Sequence, residues 1–132
     1  MKCKISLSSI ILLFVSTIMF ANNSSKVEML YFKVNLPCCQ ARACNNLENI
    51  TKTIIENNFD KKDVIFTTIK LSDEQNKTLV TKYNAKSQTV ILENKKKKKS
   101  IDVSDIVKKF AISNDQAQYE KELKEKIKQI IK

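Results

Sequence analysis

Three of the four cysteines fall within seven residues, in the stretch Pro37-Cys38-Cys39-Gln40-Ala41-Arg42-Ala43-Cys44. Thiols spaced this way can exchange disulfides, close a local bridge or hold a soft metal ion. All of these run through the thiolate, which is the nucleophile and the ligand. A thiolate is favoured where a helix begins, because the first turn leaves N–H groups unpaired and carries the positive end of the dipole. The cysteine stretch lies after an apolar run and before a helical pattern, which is where such a helix start is expected.

Four uses of these sulfurs stay open on spacing alone. In a redox pair, Cys39 attacks, with Cys38 as its rival, and Cys44 resolves the mixed disulfide. A purely structural bridge across so short a loop contributes about 2 kcal/mol at best by the chain-entropy estimate, and it leaves one cysteine over. Three thiolates without histidine suit Cu(I) better than Zn(II), which takes four ligands. A vicinal Cys38–Cys39 bridge is strained. The three cannot tie distant segments together, so they form no disulfide framework.

The chain holds no histidine. That excludes a Ser-His-Asp triad, a Cys-His dyad, a histidine-ligated metal and a histidine pH switch. Thiol–disulfide exchange needs none. The chain also has no glycine and one proline, so its turns rely on Asn, Asp, Ser and Lys. Of its formal charge of +10, two units come from Lys2 and Lys4. The rest is scattered rather than gathered on one helix face, and reads as a solvated surface. The run Lys95-Lys96-Lys97-Lys98-Lys99 reads as a solvated hairpin turn. No aromatic residues interleave with it, so nucleic acid is not an expected partner.

Residues 1–21 read as an export signal: Lys2 and Lys4, then an apolar run over residues 5–20, then Ala21. The alternative is an uncleaved anchor through residues 5–20, although that run is short for a membrane span. Residues 22–26 read as a polar linker and residues 27–132 as one domain. The domain is expected in an exported, oxidising compartment, periplasmic or otherwise extracytoplasmic, as a monomer.

The elements that position the cysteines follow from pattern. Residues 27–34 are apolar and rich in β-formers, as in a strand buried on both faces, with Tyr31 and Phe32 in the core. Leu47, Ile50, Ile54 and Ile55 recur at helical spacing and predict a helix over residues 43–58, with Cys44 in its first turn. Residues 63–69 predict a second strand. Residues 72–84 predict a helix capped by Ser72, with Leu79, Val80 and Tyr83 inward. Residues 88–92 predict a third strand, and Ile101 and Val103 an edge strand. A short helix is expected to end at Phe110, followed by a break over residues 112–118. A final helix carries Tyr119, Leu123, Ile127, Ile130 and Ile131. The order is β-α-β-α-β-β-α. Two crossovers imply parallel neighbours and the lysine turn an antiparallel pair, giving an α/β fold with a four-stranded mixed sheet covered by helices.

On this element order, over roughly residues 27–131, the chain resembles the thioredoxin superfamily, and within it small exported bacterial members. Tyr31-Phe32 stands where the family has its strand before the cysteine turn. Cys44-Asn45-Asn46-Leu47-Glu48 looks like the family's Cys-x-x-x-Glu helix start. Residues 69–85 look like its second strand, acidic turn and Lys-Tyr helix end. The resemblance implies thiol–disulfide oxidoreductase activity toward protein or small-molecule disulfides, with Cys38, Cys39 and Cys44 as site residues and no cofactor. The family spaces its cysteines Cys-x-x-Cys, whereas here Cys39 and Cys44 are separated by four residues. The family's proline beside the cysteines falls near Ser87 or Gln88. No acid on the first strand lies under the cysteines; Glu28 comes too early. A non-catalytic thioredoxin-like binding module and a Cu(I)-binding protein are the alternatives.

Overall fold

The structure, a computed structural model, describes residues 26–35 and 38–132, and within these the side chains of all but residues 38–41. The expected export segment and nearly all of the linker lie outside the described residues. Among those residues no helix is long and apolar enough to cross a membrane.

A four-stranded mixed sheet forms the centre, with helices against it. Its strands are β1 (Val27–Lys33), β2 (Val64–Lys70), β3 (Val90–Asn94) and β4 (Lys99–Asp102), in the order β2-β1-β3-β4. β1 is central because both its faces are apolar. Val27, Met29 and Tyr31 join the larger core on one face, and Leu30 and Phe32 join Ile69 and Ile91 on the other. Tyr31 and Phe32 lie in the core as expected.

β1 pairs with β2 in parallel, from Val27↔Val64 to Lys33↔Lys70. β3 pairs antiparallel with both β1 and β4. The second crossover therefore does not deliver the expected parallel strand. Its α-helix, α2 (Lys77–Lys82), has six residues and rises only about 9 Å. A seven-residue strand such as β2 spans about 23 Å. So short a helix does not return the chain to the far end of the sheet. The chain instead enters β3 at the end where β2 left, with Phe32 N–H donating to the Thr89 carbonyl and Gln88 N–H to the Phe32 carbonyl (both 2.9 Å).

The remaining helices are α1 (Cys38–Asn58), α3 (Ser104–Ser113) and α4 (Gln116–Ile131). α1 starts five residues before the expected position. Gln40, Ala41, Arg42 and Ala43 all accept helical geometry and no glycine or proline follows Pro37, so nothing stops the helix from reaching back. The helix expected over residues 72–84 is a 3-10 turn, Glu74–Asn76, followed by α2, and neither contains a buried residue. Ser72 does not cap it; the residue before the 3-10 turn is Asp73, which makes no side-chain cap bond. The expected break over residues 112–118 narrows to Asn114 and Asp115. Asn114 closes α3 in the left-handed region at φ 54°, and the Asp115 side chain accepts the Gln118 N–H at 3.0 Å to open α4. Without glycine, the four left-handed positions among the described residues belong to Asn84, Gln88, Lys98 and Asn114.

Candidate functional site

α1 packs against the sheet chiefly at β2, and a stripe at helical spacing, Cys44, Leu47, Glu48 and Thr51, carries its contacts inward. Leu47 and Thr51 are fully inside. Thr51 Oγ1 donates to the Leu47 carbonyl at 2.7 Å, which uses its one proton. The Tyr119 hydroxyl 2.8 Å away therefore donates to Thr51. That bond ties α1 to α4. Burial, against the weaker opposing bond from Thr51, pushes the Tyr119 phenol up to about 12.

Glu48 fastens the outer end of the stripe. Its carboxylate accepts from Lys33 Nζ at 2.5 Å and from Thr68 Oγ1 at 2.6 Å, joining α1 to β1 and β2. Lys33 also donates to Asn45 Oδ1 at 3.1 Å. The pair is only 22% and 14% exposed, so solvent screens it less than a surface ion pair.

Cys44 is half-buried and a free thiol. The Gln88 side-chain amide donates to its sulfur at 3.4 Å. Gln88 holds φ 64° while its backbone N–H is fixed to Phe32. The left-handed backbone, unusual for a non-glycine residue, delivers that amide to the sulfur. Beside this contact a cleft of about 210 Å³ opens between α1 and α3, walled by Ala43, Leu47, Ile50, Gln88 and Phe110.

On β1, Tyr31 stands in the same buried core cluster as Leu47 of α1. It is 1% exposed, and its hydroxyl finds no hydrogen-bond partner among the described residues. Burial, and then the neighbouring Tyr119, Cys44 and Glu48 side chains, hold its phenol above the ordinary tyrosine range.

No known family model, characterised protein or solved structure matches this chain.

Cys44 is not in the first turn of its helix, as the sequence suggested. α1 begins at Cys38, which moves Cys44 into the second turn and leaves Cys38 and Cys39 in the first. The side chains of Cys38 and Cys39 lie outside the described residues. The backbone still constrains them. Helical geometry separates the Cα atoms of residues five and six apart by about 8.7 and 9.8 Å. A disulfide spans at most about 7 Å. Linking Cys44 to either neighbour therefore requires the first turn to open.

Arg42 is exposed. Glu28 serves the opposite end of β1, where it accepts from Thr67 and Lys95. Among the described residues no three potential metal ligands gather; the Cu(I) alternative rests on Cys38 and Cys39. The lysine turn is exposed, yet Lys95 is tied to Glu28 and Lys97 donates to the Ile131 carbonyl.

Sequence reasoning missed the contact of Gln88 with sulfur, the clamp on Glu48 and the unpartnered Tyr31 hydroxyl. It also missed a second polar cluster, in which Glu93 Oε1 accepts from Lys82 Nζ at 2.5 Å and from the Tyr83 hydroxyl at 2.7 Å. Burial opposes ionisation of Glu93, but those bonds and the nearby lysines hold its carboxyl below the usual range.

Proposed function

We propose that this chain is an exported thiol–disulfide redox protein on a thioredoxin-like domain, with Cys44 as the resolving thiol. The observation that carries this reading is the Gln88–Cys44 contact. It sets the loop entering β3 against the sulfur on α1, at the place where the resemblance puts a substrate-docking loop beside the cysteines. The strand order and the mixed sheet are compatible with such a domain.

In the proposed reaction the Cys39 thiolate, or that of Cys38, attacks a substrate disulfide. One substrate sulfur leaves as a thiolate and takes a proton, and the other stays in a mixed disulfide. The Cys44 thiolate then attacks the enzyme sulfur and releases the second substrate thiol. Two electrons pass from the cysteine pair to the substrate, and Cys44 ends in a disulfide. The cleft between α1 and α3 is lined by Gln88, the residue that contacts the Cys44 sulfur, while Cys44 itself is not part of its wall. Protein or small-molecule disulfides are the partners, and the domain acts as a monomer, released or held by residues 5–20.

Insulin reduction by the wild-type chain, Cys39→Ser and Cys44→Ser tests this. Activity in the wild type that falls at least tenfold in Cys44→Ser is expected; equal rates in all three remove the proposal. One observation favours a second reading, a binding module that keeps the fold without the reaction. The unbroken helix from Cys38 through Cys44 holds the sulfur-bearing positions apart. A Cys44 that stays unpaired throughout a redox titration selects that reading.

A further inference from the structure

We propose that the end of the sheet at which β1 starts is a docking face for an anionic lipid bilayer, built on the lysine hairpin between β3 and β4. The proposal goes beyond the redox reading and does not rest on it.

Three segments meet at that end. Glu28 of β1 pairs with Glu93 of β3, so the hairpin that follows, Lys95 to Lys99, lies beside the start of β1. Lys95 Nζ donates to the Glu28 carboxylate at 2.5 Å. The loop before β2 arrives at the same place: the Lys26 N–H donates to the Lys62 carbonyl at 3.3 Å, and Val27 pairs with Val64. Lys26, Lys61, Lys62 and all five hairpin lysines are exposed. These eight lysines stand against four acids, Glu28, Asp60, Asp63 and Glu93, a surplus of four positive charges. The acids are already engaged: Glu28 by Lys95, Glu93 by Lys82, Asp63 by Lys26, and Asp60 by the Lys62 N–H. The surplus is half of the +8 that remains once Lys2 and Lys4 are set aside, so charge that is scattered in sequence is gathered in space.

The chemistry favours a broad anionic surface over a discrete anion. The hollow of about 250 Å³ among Lys82, Lys95, Lys98 and Lys99 has Glu93 in its wall, and a small anion seated there would meet that carboxylate at close quarters. No aromatic ring interleaves with the hairpin lysines, so the hairpin offers single-stranded nucleic acid nothing to stack on. Charge spread over three segments suits a bilayer of anionic lipids, whose surface potential attracts clustered lysines within a Debye length, about 10 Å at 0.1 M salt. Chain connectivity points the same way. The apolar run over residues 5–20 ends six residues before Lys26, a reach of at most about 22 Å. A bilayer that holds this run keeps the lysine face within reach of its headgroups. Cys44 belongs to the other end of β1, where Lys33 donates to its neighbour Asn45, about 23 Å away along the strand. Docking by the lysine face presents the sulfur to the solution.

The test is lysine acetylation of the full chain on phosphatidylcholine vesicles with and without phosphatidylglycerol. Residues 5–20 have the same opportunity to enter either vesicle, so the dependence on composition reads the lysine face. Glu-C cleavage after Glu56, Glu74 and Glu93 puts Lys61 and Lys62, Lys86, and the hairpin on three separate peptides for mass spectrometry. With phosphatidylglycerol the hairpin lysines should label about threefold more slowly at 0.1 M salt than on phosphatidylcholine alone. They should recover at 1 M salt, where the Debye length falls to about 3 Å. Lys86, two residues before Gln88 at the Cys44 end, should not change. Lys96→Glu/Lys98→Glu cancels the surplus and should abolish the protection of Lys61 and Lys62, with wild-type circular dichroism. Labelling that ignores lipid composition in the wild type overturns the proposal, as does protection of Lys86 equal to that of the hairpin, or protection that a folded charge-reversed variant retains. Inorganic phosphate or a single-stranded oligonucleotide that protects the hairpin as the vesicles do overturns the assignment to lipid.

Discussion

Oxidation that joins Cys44 to Cys39 should unwind the start of α1. The two lie five positions apart in a helix that begins at Cys38, about 8.7 Å between Cα atoms, and a bridge needs at most about 7 Å. Forming it releases about six of the 21 residues of α1 from helical geometry. Propagation constants near 1 to 1.6 put the cost at no more than about 0.3 kcal/mol per residue, or about 1.8 kcal/mol in all. Closing a loop of six residues contributes about 2 kcal/mol. The terms nearly cancel, so the bridge is weakly held and its potential should lie above about −300 mV, outside the range of structural disulfides. Asn45 and Glu48, held by Lys33, mark where unwinding stops. Far-ultraviolet circular dichroism of the oxidised and reduced chain reads the change, with Cys44→Ser as the control that should show none. A linked Cys39–Cys44 peptide with undiminished helical signal would refute the reasoning.

Three further outcomes are expected. Lys33→Met leaves Glu48 without its cation and should lower stability to urea by about 1–2 kcal/mol, and wild-type stability would mean that the clamp holds nothing. Thr51→Val orphans the Tyr119 hydroxyl and should cost about 1–3 kcal/mol, with Thr51→Val/Tyr119→Phe less destabilised than the sum of the single variants; strict additivity would show the hydroxyls uncoupled. Glu93 has a folded pKa below its ordinary 4.5, so its contribution is complete above that pH and is lost as pH falls through the folded value. Glu93→Gln should therefore flatten the acid limb of the stability profile, and an unchanged limb would contradict the Lys82–Glu93–Tyr83 cluster.

The strands were legible because β1 alternates nothing: residues buried on both faces read as one apolar run, and β2 and β3 repeat the pattern at lower contrast. The face of α4 was equally plain, since Tyr119, Leu123, Ile127 and Ile130 all turn inward. The true start of α1 was not legible because the apolar periodicity begins only at Leu47, while Gln40 to Ala43 extend the helix by backbone preference alone. The direction of β3 depended on the length of α2, which pattern overestimated because Ser72 and Asp73 resemble a cap. Of the site, Cys44 was legible by type, while its partner Gln88 lies 44 positions away and no local signal marks it. Tyr31 was assigned correctly to the core, but burial of a ring says nothing about where its hydroxyl points.

A chain without glycine turns corners with residues that resist the turn. Asn84, Gln88, Lys98 and Asn114 hold left-handed backbone, a conformation costing about 1–2 kcal/mol for an ordinary residue. The same absence stiffens the denatured chain, since each glycine would add about 0.4–1 kcal/mol of conformational freedom to be lost on folding. Glycine at any of these corners would relieve one term and enlarge the other. The turns therefore sit on a plateau where substitution changes stability little, leaving residues such as Gln88 free to be chosen for what their side chains reach.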